Sequence, residues 1–174
     1  MKKFFAPDYY IRTYQDLDIE RLKQHGIKVL VCDIDNTLVA HDVKSPDEGV
    51  KAFIQQVKDA GMQVVLVSNN VKERVDLFAK DLQVKTYPFA RKPLKGTYRK
   101  MMKDSGCKKH EIAVLGDQLL TDMLGANRIG FYTILTNPVA KKDLTCTKIN
   151  RVFENMVYKI LKFQGKLVKG EYDE

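Results

Sequence analysis

Short apolar runs alternate along this chain with stretches whose apolar residues recur at helical spacing. Ile27-Lys28-Val29-Leu30-Val31-Cys32 is a β-branched run that stops at Asp33, and Met62-Gln63-Val64-Val65-Leu66-Val67 stops at Ser68. Val84-Lys85-Thr86-Tyr87 is a weaker run. Ile112-Ala113-Val114-Leu115 stops at Gly116-Asp117, and Phe131-Tyr132-Thr133-Ile134-Leu135 ends near Thr136-Asn137-Pro138. Apolar runs without polar alternation predict strands covered on both faces, as in a parallel sheet.

The intervening stretches read as helices. Ser45-Pro46-Asp47-Glu48 is a start signal, with a cap at Ser45 or Asp47, an early proline and acids in the first turn. Val50, Phe53, Ile54 and Val57 then form one apolar face, and Gly61 predicts the stop. A second helix is expected over 71–80, with Val71, Val75, Phe78 and Ala79 on one side. Others begin near Lys95 and near Leu119. Such alternation with right-handed crossovers gives an open α/β sheet with helices on both faces.

Residues 16–25 predict a short helix ahead of the first strand. At the other end, about 150–168 forms an amphipathic helix. Phe153, Met156, Val157, Ile160, Leu161 and Val168 are interleaved there with Arg151, Lys159, Lys162, Lys166 and Lys169. That helix either packs on the sheet with its basic residues in water or touches an anionic membrane. Gly170 to Glu174 are expected to fray.

Composition narrows the classes. With 174 residues and no linker or internal repeat, the chain reads as a single domain spanning 1–174, its core at about 27–137. No apolar run approaches the roughly 18–20 residues of a spanning helix. The start, Met1-Lys2-Lys3-Phe4-Phe5, resembles a secretion signal, but Pro7, Asp8 and Arg12 interrupt it. Three scattered cysteines, Cys32, Cys107 and Cys146, read as free thiols of a reducing cytoplasm, with Cys32 in the core. A net charge of +8 suits an anionic substrate, a nucleic acid or an anionic lipid surface.

Chemistry concentrates where the strands end. In an open α/β sheet, ligands bind outside the carboxyl ends of the strands. The first run delivers Asp33-Ile34-Asp35-Asn36-Thr37-Leu38 to that edge, the second Ser68-Asn69-Asn70, the fourth Gly116-Asp117, and the loop after the weak strand Arg91-Lys92-Pro93. Gathered carboxylates repel unless a cation or a proton tames them. Asp33 and Asp117 would supply oxygen ligands for Mg²⁺, and a cation-neutralised Asp33 is a plausible nucleophile toward phosphorus. Lys92 and Ser68 would hold the other phosphoryl oxygens. Asp35 would protonate the leaving oxygen and later take a proton from water.

These residues resemble the haloacid dehalogenase superfamily of phosphatases. Asp33 to Leu38 match its Asp-x-Asp-x-Thr/Val motif, Ser68 follows an apolar strand as the second motif requires, Lys92 before Pro93 resembles the third, and Gly116-Asp117-Gln118-Leu119-Leu120-Thr121-Asp122 matches the fourth. The resemblance implies a Rossmann-like three-layer fold with strand order 3-2-1-4-5. It also implies a phosphoaspartate on Asp33 and acid/base work by Asp35, with the Asp35 backbone carbonyl on Mg²⁺. Asp117 would be the acidic ligand and Asp122 a supporting residue of the metal site. Thr37, Ser68, Asn69 and Lys92 would bind substrate. His41 lies in the loop after the first motif, near enough to meet a substrate.

One helix and one strand nearly fill the gap from Thr37 to Ser68, and likewise from Ser68 to Lys92. The superfamily inserts its specificity caps there, so no large cap is expected and the site should accept a bulky substrate. Within the capless group (subclass III A type), Phe5-Ala6-Pro7-Asp8-Tyr9-Tyr10, Gly26-Ile27-Lys28 and the fourth motif resemble the phosphatidylglycerophosphatase branch and its small bacterial relatives. That resemblance implies phosphatidylglycerophosphate as substrate, an anionic phospholipid met from the cytoplasm at a membrane surface. Other readings are a phosphatase of nucleic-acid ends or phosphoproteins, a receiver-like phosphoacceptor switch, and a basic nucleic-acid binder with a vestigial site. Against the last, no RNA- or DNA-binding signature is visible along the chain.

Overall fold

The computed structural model describes residues 4–140 and 145–173, with side chains of the last helix placed from residue 152 onward. Six parallel strands form one sheet: β1 (Tyr9–Ile11), β2 (Val29–Cys32), β3 (Gln63–Val67), β4 (Lys85–Tyr87), β5 (Ile112–Gly116) and β6 (Tyr132–Thr136). Their order is β1-β6-β5-β2-β3-β4. Val31 of β2 pairs with Val65 on one side and Val114 on the other, so β2 is central. The five expected strands take the expected 3-2-1-4-5 order, and β1 is an addition at the edge beside β6, with Tyr9 opposite Ile134.

Side chains alternate across the sheet, and each face has its own cover. Leu30 and Cys32 face Val50, Phe53, Ile54 and Val57 of α2 (Glu48–Asp59) and Val75 and Phe78 of α3 (Lys72–Ala79). Leu22 of α1 (Ile19–Gln24) joins that layer. Val29 and Val31 face the other way, onto Tyr98 and Met101 of α4 (Gly96–Ser105) and Ala126 of α5 (Leu124–Asn127). A third cluster packs Tyr10 and Leu135 against Leu119, Met123 and the inner face of α6 (Thr145–Phe163), chiefly Val157 and Leu161. Asp47 caps α2 by accepting the Val50 N–H at 2.8 Å.

Several expectations need correcting. The stretch 16–25 splits into a turn at Tyr14–Asp16 and the short α1, capped by Asp18. Val71 is the exposed residue before α3 and takes no part in its apolar face. The final helix ends at Phe163, so Val168 lies past it in the returning chain. That chain does not fray. Asp173 donates its N–H to the Tyr10 carbonyl at 2.8 Å and accepts the Tyr10 N–H at 2.7 Å. Cys32 is buried as expected, and burial pushes its thiol up. Met1, Lys2, Lys3, Glu174 and the side chains of Cys146 and Arg151 lie outside the described residues. No helix among the described residues is long and apolar enough to cross a membrane.

Candidate active site

The strand ends converge as the topology requires. After β2 the chain folds into a tight turn in which the Ile34 carbonyl accepts the N–H groups of Thr37, Leu38 and Val39. Asn36 occupies the left-handed region at φ 66°, which Asn tolerates better than most residues. That turn buries Asp33 and Thr37 and sends Asp35 toward β3. Gly116, ending β5, lies directly beneath Asp122. A Cβ at 116 would stand 2.4 Å from the Asp122 Cγ, so only glycine lets the fourth-motif carboxylate settle here.

At the centre, Lys92 Nζ lies 2.5 Å from Asp33 Oδ1 and 2.6 Å from Asp122 Oδ1, with all three side chains buried. The Thr37 hydroxyl stands between Asp33 Oδ2 (3.1 Å) and Asp117 Oδ1 (3.2 Å). Having one proton, it satisfies one carboxylate at a time. Oxygens of Asp33, Asp117 and Asp122 lie within 4.8 Å of one another. This all-oxygen donor set suits a hard divalent cation. The Asp35 side chain lies outside that cluster.

Charge balance in this pocket is incomplete. Three carboxylates face one ammonium in a place with little water. Burial pushes the Asp33 carboxyl up to about 7, Lys92 pulling it down and Asp122 adding to the rise. Burial, then Asp33 and Asp122, hold Asp117 well above the usual carboxylate range. Burial works against the Lys92 charge, yet Asp122 and Asp33 outweigh it and hold its pKa well above the ordinary lysine value. The cluster therefore retains protons that a bound cation would displace.

A cleft of about 300 Å³ opens onto this centre, lined by Asp33, Asp35 and His41, by Ser68, Asn69 and Asn70, and by Lys92 and Asp122. Of the expected residues, Asp33, Asp35, Ser68, Asn69, Lys92 and Asp122 line it, while Thr37 and Asp117 pair with each other and do not line it. Asn69 accepts the Lys92 N–H at 2.7 Å and donates to the Lys92 carbonyl at 3.2 Å, so its amide positions the lysine loop. Ser68 Oγ accepts the Asn70 N–H at 3.0 Å and lies 3.5 Å from Asp35. Arg91 is exposed and is not among the residues that line the cleft.

Sequence reasoning missed Arg74. Its Nη2 donates to Asp35 Oδ1 at 2.9 Å, with the Asn70 amide on the other carboxylate oxygen at 3.3 Å. An arginine two residues into a helix that follows Ser68-Asn69-Asn70 faces the same strand end, and that placement was the available signal. Glu154 of α6 was missed too. It accepts the Leu119 N–H at 2.8 Å, joining the last helix to the turn after Asp117.

A parallel sheet whose central strand ends in a buried aspartate, with a lysine and two further acids closing on it, defines a phosphatase of the haloacid dehalogenase type. The fold agrees: the chain of "Structure of putative HAD superfamily (subfamily III A) hydrolase from Legionella pneumophila" superposes with a TM-score of 0.53 at 23 % identity, over 71 % of either chain. The chain belongs to the mitochondrial PGP phosphatase family, whose model matches residues 1–140. It is 37 % identical over 167 residues to "Probable phosphatase YqeG" of Bacillus subtilis, covering 96 % of this chain and 97 % of that one. It is also 28 % identical over 151 residues to "Phosphatidylglycerophosphate phosphatase 1, chloroplastic/mitochondrial" of Arabidopsis thaliana. That match covers 82 % of this chain and spans 43 % of the plant protein.

Proposed function

We propose that this phosphatase hydrolyses phosphatidylglycerophosphate through a phosphoaspartate on Asp33, with Mg²⁺ as cofactor. The observation that carries the mechanism is the Asp33–Lys92–Asp122 contact beside Asp117. Asp33, Lys92 and Asp122 all line the cleft in which a phosphoryl group would be held. Asp33, Asp117 and the Asp35 main-chain carbonyl would hold Mg²⁺, with Asp122 in support. When bound, the cation neutralises the phosphoryl oxygens and keeps Asp33 ionised.

The Asp33 carboxylate attacks phosphorus as the bond to the leaving oxygen breaks, and Asp35 gives that oxygen its proton. Asp35 then takes a proton from water, whose oxygen displaces Asp33 and releases inorganic phosphate. Lys92, Ser68 and Thr37 bind the phosphoryl group, and Asn69 keeps Lys92 aimed. Arg74 and Asn70 hold Asp35 between its two tasks.

The substrate reading is supported by family membership and by the loops that follow the strand ends. No cap fills the gaps on either side of Ser68, and Val43, Val71, Phe89, Leu94 and Val139 are exposed in those loops. Phe89 and Val139 are tied to the site itself, donating N–H groups to the carbonyls of Asn70 and Asn36. Exposed apolar side chains in the loops that carry a charged site suit a phosphate carried on an acyl-chain anchor. The deciding experiment is Mg²⁺-dependent phosphate release from phosphatidylglycerophosphate in mixed micelles, beside a panel of soluble and polymeric phosphomonoesters, with Asp33→Asn as blank. Strong preference for the lipid is expected. Turnover of the soluble panel alone would remove the lipid substrate, and wild-type turnover by Asp33→Asn would remove the mechanism.

A further inference from the structure

Helix α6 has two apolar faces and the core uses one. Val157 and Leu161 are buried against Tyr10 and Met123, while Phe153, Met156, Ile160 and Phe163 point away and are 48–94 % exposed, Phe163 most of all. Those four recur at steps of three, four and three residues, a straight stripe about 15 Å long at 1.5 Å rise per residue. Val152 is exposed beside its start. Leaving this much contiguous apolar surface in water is costly, and surfaces of this kind are contact sites.

The charges around the stripe decide what it contacts. Between 152 and 169 the cations are Lys159, Lys162, Lys166 and Lys169, and Glu154 is the sole carboxylate. Glu154 is turned inward, accepting the Leu119 N–H. Lys159, Lys162 and Lys166 are exposed and form no ion pair among the described residues. Lys169 reaches back over the Tyr158 ring. A second copy laid along this stripe would set lysine against lysine with no carboxylate to answer it. A surface of anionic head groups above acyl chains matches both components.

We infer that the outer face of α6 docks this phosphatase onto an anionic bilayer, with Phe153, Met156, Ile160 and Phe163 entering the acyl boundary and Lys159, Lys162 and Lys166 meeting the head groups. The inference deepens the lipid-substrate reading and rests on it for its purpose, but its physical basis lies outside the cleft. Through Glu154, the docked helix is joined directly to the turn after Asp117.

Co-sedimentation of the full chain with phosphatidylglycerol-containing vesicles, against pure phosphatidylcholine, tests it. Wild type is expected to bind the anionic vesicles, and Phe153→Ser/Phe163→Ser to bind about tenfold more weakly or worse. Turnover of a soluble phosphomonoester and a thermal melt report whether the double variant is folded. Lys159→Gln/Lys162→Gln/Lys166→Gln should lose the preference for anionic over neutral vesicles. Failure of wild type to bind, or equal binding by the folded double variant, overturns the inference. So does light scattering that finds a wild-type dimer dissociated by the same two serines, since the stripe would then be an interface between copies. Activity in detergent micelles needs no bilayer, so its absence with vesicle binding intact would overturn the substrate alone.

Discussion

Gly116 and Asp122 are in direct apposition: the carboxylate rests where any side chain at 116 would have to go. Gly116→Ala should displace Asp122 from Lys92 and from the Gln118 N–H that it accepts at 3.2 Å. A cost of about 1–3 kcal/mol is expected from overpacking, together with a fall in kcat on any phosphomonoester. Denaturant unfolding and steady-state kinetics on one preparation check both. Wild-type kcat in the alanine variant would mean that Asp122 has room to move without consequence.

Lys92→Met removes the fixed cation from a buried group of carboxylates, a kind of change that costs about 3–5 kcal/mol. Its pH dependence has a defined sign. Without the ammonium the folded-state carboxyl pKa values rise further above their unfolded values, so the folded variant binds more protons than wild type. The deficit should therefore be largest near pH 8 and shrink toward pH 5. Urea midpoints across that range measure it, and a deficit independent of pH would contradict the charge account.

Divalent cation should stabilise the protein more at pH 8 than at pH 6. Asp33 is raised to about 7 and Asp117 is raised as well. A raised carboxyl stabilises the fold fully below its unfolded pKa, and that contribution disappears as pH rises through the folded pKa. Mg²⁺ competes with those protons, so it binds best once they have left. Melting curves with Mg²⁺ and with EDTA at the two pH values test this, and equal shifts would count against it.

Arg74→Met should lower kcat by about tenfold or more, short of the 10²–10⁴-fold that acid–base catalysis itself supplies. The Asp35 carboxylate would keep Asn70 and lose its cation. Full recovery in Arg74→Lys would show that charge suffices, and no recovery would assign the role to the guanidinium geometry.

Removing residues 170–174 should lower stability by about 1–2 kcal/mol, since Tyr10 loses both of its bonds to Asp173. An unchanged thermal midpoint would return this segment to the frayed tail that its composition suggests.

The strands that carry Asp33, Ser68 and Asp117 were legible in the sequence because a strand covered on both faces is apolar at every position. Their polar successors stand out. Strand β1 was not legible. Tyr9, Tyr10 and Ile11 are three residues between Pro7-Asp8 and Arg12, and what makes them a strand is 125 residues away, where Asp8 accepts the N–H and hydroxyl of Thr133. Arg74 and Glu154 were hidden for a related reason. A charged residue on a helix reads as solvated until its partner is known, and here Asp35 and Leu119 come from distant segments. Lys92 was readable because its proline-flanked loop fits a motif, whereas the amide clamp from Asn69 is visible only in three dimensions.

The bonds between Tyr10 and Asp173 also bear on what this sheet leaves open to other chains. A parallel sheet ends in two rows of unpaired backbone groups, each a template for a stray strand. On the β1 side, the N–H and carbonyl that Tyr10 turns outward are already occupied by the chain's own tail. On the far side, β4 is three residues long and opens with the charged Lys85. Each edge thus resists edge-to-edge aggregation by its own means, so a chain concentrated on a surface by its outer helix face would crowd without fusing into a continuous sheet.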